Sequence, residues 1–145
     1  MIIRVLDEQR AKICDKLLEK LVLDERKYDN SIDENIKIEN HFTNLIKDIN
    51  NILLVYEEDN IIKGYIYARA TYENNKVYLL DGLYVEEEAR GKGIGTKLIK
   101  EALRILKENN ITNIDINVLK ANEGAYNLYK KLGFIETKVT LRKEI

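Results

Sequence analysis

Apolar residues change their spacing several times along this 145-residue chain, and each change marks an element. "IIRV" at 2–5 reads as a short strand. Behind it Ala11, Cys14, Leu17, Leu18 and Leu21 recur at helical spacing, with Asp7 placed to cap the helix start. The stretch "DERKYDNSIDENIKIEN" holds only isolated apolar residues and reads as a long surface connection. Phe42, Leu45, Ile46 and Ile49 then share one face of a short helix. "ILLVYEEDNIIKGYIYARA" gives two β-rich runs around Asp59 and Asn60, a hairpin signature, and "VYLLDGLYV" after the polar "ENNK" is the third strand of the same meander.

From residue 96 the helical period returns with Leu98, Ile99, Ala102, Leu103 and Leu106, ending near Asn109 and Asn110. In "NIDINVL", Ile114, Ile116 and Val118 lie on one strand face and Asp115 and Asn117 on the other. Asn122 starts a helix through Ala125, Leu128, Tyr129 and Leu132, and Gly133 supplies its left-handed stop. A final strand is expected near 134–141, which completes a β-α-α-β-β-β-α-β-α-β order without repeats or linkers. One domain over 1–145 is the simplest division at this length.

Composition narrows the function classes. Hydrophobic residues at 45% and charged residues at 34% belong to a folded domain and not to a disordered chain. A formal charge of -1 gives no global attraction to nucleic acid or to an anionic membrane, so neither partner is expected. Cys14 is the only cysteine and His41 the only histidine, which excludes an internal disulfide and a Cys/His zinc site; no metal is expected. "IIRVLDEQR" lacks the sections of a secretory signal and no apolar run has the length of a membrane span, so the expected location is the cytoplasm.

The chemistry gathers at "VEEEARGKGIGTKLIKEAL", where three of the seven glycines stand between a strand and a helix. Amides at a helix start have no intrahelical partner and carry the positive end of the macrodipole. Gly91, Gly93 and Gly95 clear side chains from their approach, and Arg90, Lys92 and Lys97 add charge, which makes a phosphate site. The P-loop string is absent, and Thr96 stands where a Rossmann fingerprint counted from Gly91 needs glycine. Arg90, Gly93 and Gly95 do fit R-x-x-G-x-G, a pattern that a chain of this length meets by chance about one time in twenty. On its own the stretch is also compatible with a flexible turn.

Together with "LYV" before the loop and "NEGAYNLYKKLGF" downstream, "RGKGIG" resembles the GNAT superfamily of N-acetyltransferases, and the likeness in element order covers essentially the whole chain. Two departures stand out: Glu87 and Ala89 replace a frequent proline and aromatic residue, and Gly124 inside the last helix costs about 1 kcal/mol against alanine.

The resemblance implies an α/β (α+β) fold: a mixed central sheet of six to seven strands, flanked by about four helices and splayed between the fourth and fifth strands. It implies that Arg90, Gly91, Lys92, Gly93, Ile94, Gly95 and Thr96 seat the pyrophosphate of acetyl-CoA as co-substrate. The amides of Leu83 and Val85 would face the pantetheine arm, Val85 polarising the thioester carbonyl. Gly82 would mark a bulge, or packing room for a neighbour. Asn122 matches an asparagine that contacts the cofactor, alongside a plain capping role, and Tyr129 matches a general acid for the departing thiolate, alongside a place on the apolar stripe. Asp81 stands where several relatives hold an acidic group working through water; it is read as base or amine anchor, or as a solvated strand residue.

No serine, histidine or cysteine nucleophile constellation is present, which favours direct attack by an amine over an acyl-enzyme. Asp24, Glu25, Asp29, Asp33 and Glu34 fall where the family builds one wall of its acceptor site, and an acidic rim favours a cationic amine. The expected function is acetyl transfer from acetyl-CoA to a primary amine of a small cationic molecule. The alternatives are a protein or peptide N-acetyltransferase and a catalytically silent CoA-binding regulatory module. A second copy of the chain, as a homodimer, is a candidate partner.

Overall fold

The computed structural model describes residues 1–71 and 76–145. Of the polar "ENNK" stretch only Lys76 falls among them. In chain order the elements are β1 (Ile2–Arg4), α1 (Glu8–Glu25), α2 (His41–Leu45), β2 (Ile52–Glu58), β3 (Ile61–Ala70), β4 (Val77–Val85), a 3-10 turn (Glu87–Ala89), α3 (Ile94–Glu108), β5 (Asn113–Ile116) and α4 (Glu123–Lys131). The sheet runs β1-β2-β3-β4-β5. Its first four strands are antiparallel, and β5 lies parallel to β4 after the α3 crossover.

Local chemistry explains most boundaries. The Asp7 carboxylate accepts the Arg10 amide at 2.9 Å and caps α1. Asp59 and Asn60 both adopt positive φ, 53° and 63°, the pair of left-handed residues that a two-residue hairpin between twisted strands requires. The buried Asp15 carboxylate of α1 accepts the Phe42 amide at 2.9 Å and so satisfies the start of α2. That helix is shorter than its apolar spacing predicts, and Ile49 lies beyond it, exposed.

Two apolar layers cover the sheet. On one face α1 and α2 bring Ala11, Cys14, Leu17 and Phe42 onto Leu53, Val55, Tyr65, Tyr67 and Tyr84. On the other, α3 packs Ile94, Leu98, Ile99, Ala102 and Leu106 against Leu54, Ile66, Ala68 and Leu80, with Leu128, Tyr129 and Leu132 of α4 at the margin. Among the described residues no helix is long and apolar enough to cross a membrane.

The strand count is a correction. Five strands are present among the described residues instead of six to seven, and 134–141 is not one of them. Ile135, Val139 and Leu141 alternate as a strand should, yet stand 80%, 79% and 91% exposed. A strand needs a partner edge, and β5 offers only four residues of it. The segment is held at its ends instead: the Phe134 amide donates to the Tyr129 carbonyl, and Arg142 pairs with Asp29 at 2.7 Å.

Candidate active site

The α3 helix begins on a residue without a side chain. Gly93 is its N-cap, at φ 80°, with no side-chain cap hydrogen bond, and the Lys97 amide is already bonded to the Gly93 carbonyl. The amides of Ile94, Gly95 and Thr96 therefore have no intrahelical acceptor. Gly91 also sits at φ 80°, and a Cβ added at Gly91 or Gly93 would meet nothing within 4 Å. Both glycines are demanded by backbone conformation, and the space above the amides is open. The buried Ile94 side chain pins this turn to the core while Lys92 extends, exposed and without an acidic partner among the described residues. A cavity of about 230 Å³ lies over the turn, walled by Val85, Arg90, Gly93, Gly95, Thr96 and Leu128. These main-chain donors are free and open on that side, the arrangement in which a helix start can receive an anion.

Arg90 is used differently from its expected role. Its Nε donates to the Val85 carbonyl at 2.8 Å, one terminal nitrogen donates to Asp24 at 3.0 Å, and the guanidinium lies 5.3 Å from the Tyr84 ring centre. The arginine clamps the turn to the end of β4 and to the last turn of α1. Its charge is directed at those partners and not at the amides of α3.

β4 and β5 part company early. They pair only from Val77–Leu80 to Asn113–Ile116, leaving the second half of β4 without a neighbour on that side. Just past the split β4 carries a bulge: Tyr67 faces Gly82 and Ala68 faces Leu80, so Asp81 is the extra residue. A Cβ at Gly82 would stand 3.1 Å from the Tyr65 hydroxyl, so glycine is also required for close approach. The Glu86 amide donates to the Lys63 carbonyl, toward β3. Because successive strand amides point to opposite edges, the Val85 and Leu83 amides point into the gap.

α4 meets the site through Leu128, which shares the cavity wall with Val85. The Asn122 carboxamide oxygen accepts the Ala125 amide at 3.3 Å, so the capping role is realised and its NH₂ group is left over for another partner. Tyr129 is half-buried, its ring edge-on to Phe134 at 6.2 Å, and its hydroxyl has no hydrogen bond among the described residues. Burial, and then the charge of Glu25, push its pKa up.

The acidic groups sort themselves by partner. Asp81 accepts Arg69 Nε at 2.8 Å, Asp24 is bound by Arg90, Asp29 by Arg142 and Ser31, and Glu34 by Arg26 at 3.8 Å. Asp33 turns onto the Asn35 amide. Glu25 alone of the five rim carboxylates has no hydrogen bond or ion pair among the described residues. Burial and the neighbouring Asp29 push its pKa up. Sequence reading did not single out Arg69 or Tyr65 as parts of this site; both lie within the apolar or alternating strand pattern, which carries no signal for a polar task.

The Acetyltransferase (GNAT) family model matches residues 14–134. A thialysine N-epsilon-acetyltransferase of Bos taurus is 36% identical over 69 residues, which cover 48% of this chain and 40% of that protein. An N-alpha-acetyltransferase of Sulfurisphaera tokodaii is 33% identical over 108 residues, 68% of this chain and 65% of its own length. The matched regions thus span from about two fifths to about two thirds of these relatives. Among solved structures, an aminoglycoside acetyltransferase from an uncultured soil metagenomic sample superposes with a TM-score of 0.77 at 20% identity, covering 100% of this chain and 95% of that one. A predicted acetyltransferase of Clostridium acetobutylicum with acetyl-CoA gives 0.76 at 22%, covering 99% and 95%.

Proposed function

This chain belongs to the GNAT acetyltransferase family, and from that premise we propose that it moves an acetyl group from acetyl-CoA directly to a primary amine of a small cationic molecule. The observation that carries the reading is one cavity whose wall joins Val85 of β4, the 93–96 turn with its free amides and Leu128 of α4, the residue before Tyr129.

Bound acetyl-CoA supplies an acetyl group already activated as a thioester. The turn from Arg90 to Thr96 holds its pyrophosphate through main-chain donors, with Lys92 adding charge and the Asn122 carboxamide a further donor. The pantetheine arm takes the place of the missing strand partner along the Leu83 and Val85 amides. The acceptor attacks as its neutral amine. The Val85 N–H stabilises negative charge on the carbonyl oxygen as the amine nitrogen forms its new C–N bond and the C–S bond breaks. The proton that the nitrogen sheds passes through water to solvent or to the departing thiolate. Tyr129 donates to the departing sulfur. A phenol at about 10 and a thiol at about 8.5 make complete transfer uphill by roughly 2 kcal/mol, and burial raises that difference. Tyr129 therefore acts chiefly as a hydrogen-bond donor.

Relatives named for thialysine, peptidyl-lysine and N-alpha acceptors support an amine as the acceptor class. The match to the N-alpha-acetyltransferase over 108 residues favours, as a second reading, a protein or peptide N-terminus. The two are separated by thiol release from acetyl-CoA with small amines in one arm and peptides in the other. Isothermal titration of acetyl-CoA, with ADP and NAD as controls, tests the premise. Absence of selective binding to folded protein would leave the catalytically silent reading, or a further one, in its place.

A further inference from the structure

We propose that the Glu25 carboxylate, at the last turn of α1 beside the β4 bulge, is the group that receives the acceptor's ammonium. The inference rests on the acetyltransferase reading and gives its acceptor site a defining residue.

Placement comes first. Three contacts lay the end of α1 along β4 from the bulge to the anion seat: Leu21 Cδ2 is 3.7 Å from where a Gly82 Cβ would stand, Lys20 pairs with Glu86 at 2.8 Å, and Asp24 with Arg90 at 3.0 Å. Glu25 follows Leu21 by four residues and shares its face of the helix, which looks onto the bulge. That spacing sets the carboxylate toward the bulge and the open half of β4.

Availability comes second. The surrounding carboxylates are occupied: Asp24, Asp29 and Glu34 by arginines, Asp81 by Arg69, and Glu19 by the Ile38 amide at 2.7 Å. Glu25 is half-buried with neither hydrogen bond nor counter-ion, in a protein that has neutralised its neighbours one by one. A half-buried, unpaired carboxylate is costly unless a cation completes it.

A separate polar group points the same way. The Tyr65 side chain is fully buried and its hydroxyl has no hydrogen-bond partner among the described residues, directly under Gly82. Such a group is normally satisfied, and an unpaired one is retained for a reason. Leu21 Cδ2 lies beside the same Gly82 position. Opened to the gap, the hydroxyl can accept an N–H from the amine, or from a water that accompanies it, while Glu25 accepts the others. An alkylammonium has three N–H donors and no acceptor, the complement of an acceptor-only carboxylate and a hydroxyl oxygen.

The test uses the full chain saturated with coenzyme A, titrated with spermidine, kanamycin and L-lysine. Wild type is expected to bind at least one of these amines, and Glu25→Gln to weaken that binding tenfold or more without changing coenzyme A affinity. Tyr65→Phe is expected to weaken it about threefold while raising the melting temperature, a pairing that a purely structural tyrosine would not give. Glu8→Gln, which removes a charge on the first turn of α1 far from this cluster, should leave amine binding unchanged. Equal binding by Glu25→Gln and wild type would overturn the assignment, as would an equal loss in Glu8→Gln. So would a wild-type coenzyme A complex that binds none of the three amines. Failure to bind coenzyme A at all would instead overturn the function beneath it.

Discussion

Arg90 and Asp24 are joined at 3.0 Å across 66 residues of sequence, and the same guanidinium holds the Val85 carbonyl at 2.8 Å. The motif arginine thus fixes where the anion seat stands relative to β4 and α1. If that is its main task, Asp24→Asn should weaken acetyl-CoA binding by about threefold, as expected for a partly exposed ion pair of under about 1 kcal/mol. If the guanidinium instead served the phosphate directly, releasing it from Asp24 would tighten binding. Titration calorimetry reads the sign.

Gly93 separates stability from binding. An L-residue at its φ of 80° costs about 1–2 kcal/mol, and no neighbour obstructs a Cβ there. Gly93→Ala should lower the unfolding free energy by that amount and weaken acetyl-CoA binding. Asn tolerates this conformation better, so Gly93→Asn should recover stability in denaturant melts yet remain a poor binder, because a side chain now sits at the free amides. Recovery of both together would remove those amides from the role of phosphate seat.

Much of this geometry was legible in the sequence because spacing and backbone demand report directly on it. R-x-x-G-x-G located the left-handed glycine turn at the start of α3, Asp59 and Asn60 the hairpin, and Gly82 the bulge with its close approach to Tyr65. What could not be read is pairing between distant side chains. Nothing in "LLDGLYV" says that Asp81 meets Arg69, or that Arg90 turns back to α1. The alternation of Ile135, Val139 and Leu141 did predict a strand, but alternation states only a preference. Pairing needs an edge, and β5 stops at Ile116.

Tyr129→Phe should leave the acetyl-CoA Kd nearly unchanged while lowering kcat, by roughly a hundredfold if the hydroxyl carries the share usual for a positioned acid. The sign of its pH dependence follows from burial. The hydroxyl is raised above its ordinary value of about 10, first by desolvation and then by Glu25. The neutral donor therefore persists past that pH, and no loss of kcat below it should trace to Tyr129. A wild-type alkaline limb that falls well below that value and vanishes in Tyr129→Phe would contradict this placement.

Asp29 gives the acid side of the stability profile. Its carboxylate accepts the Ser31 hydroxyl at 2.6 Å, an Arg142 nitrogen at 2.7 Å and the Ser31 amide at 3.1 Å, and these bonds bring its pKa down to about 2. Folding thus favours the ionised form. The stabilisation is complete above the unfolded-state value near 3.9 and is lost as pH falls from there toward 2, when the folded group also takes up its proton. Asp29→Asn should flatten this part of the profile and free the 134–145 segment from the contact that Arg142 makes with Asp29. Acid titration followed by circular dichroism, with hydrogen exchange on that segment, checks both effects. An unchanged acid limb in Asp29→Asn would mean that other carboxylates govern it and that the Arg142 contact contributes nothing measurable.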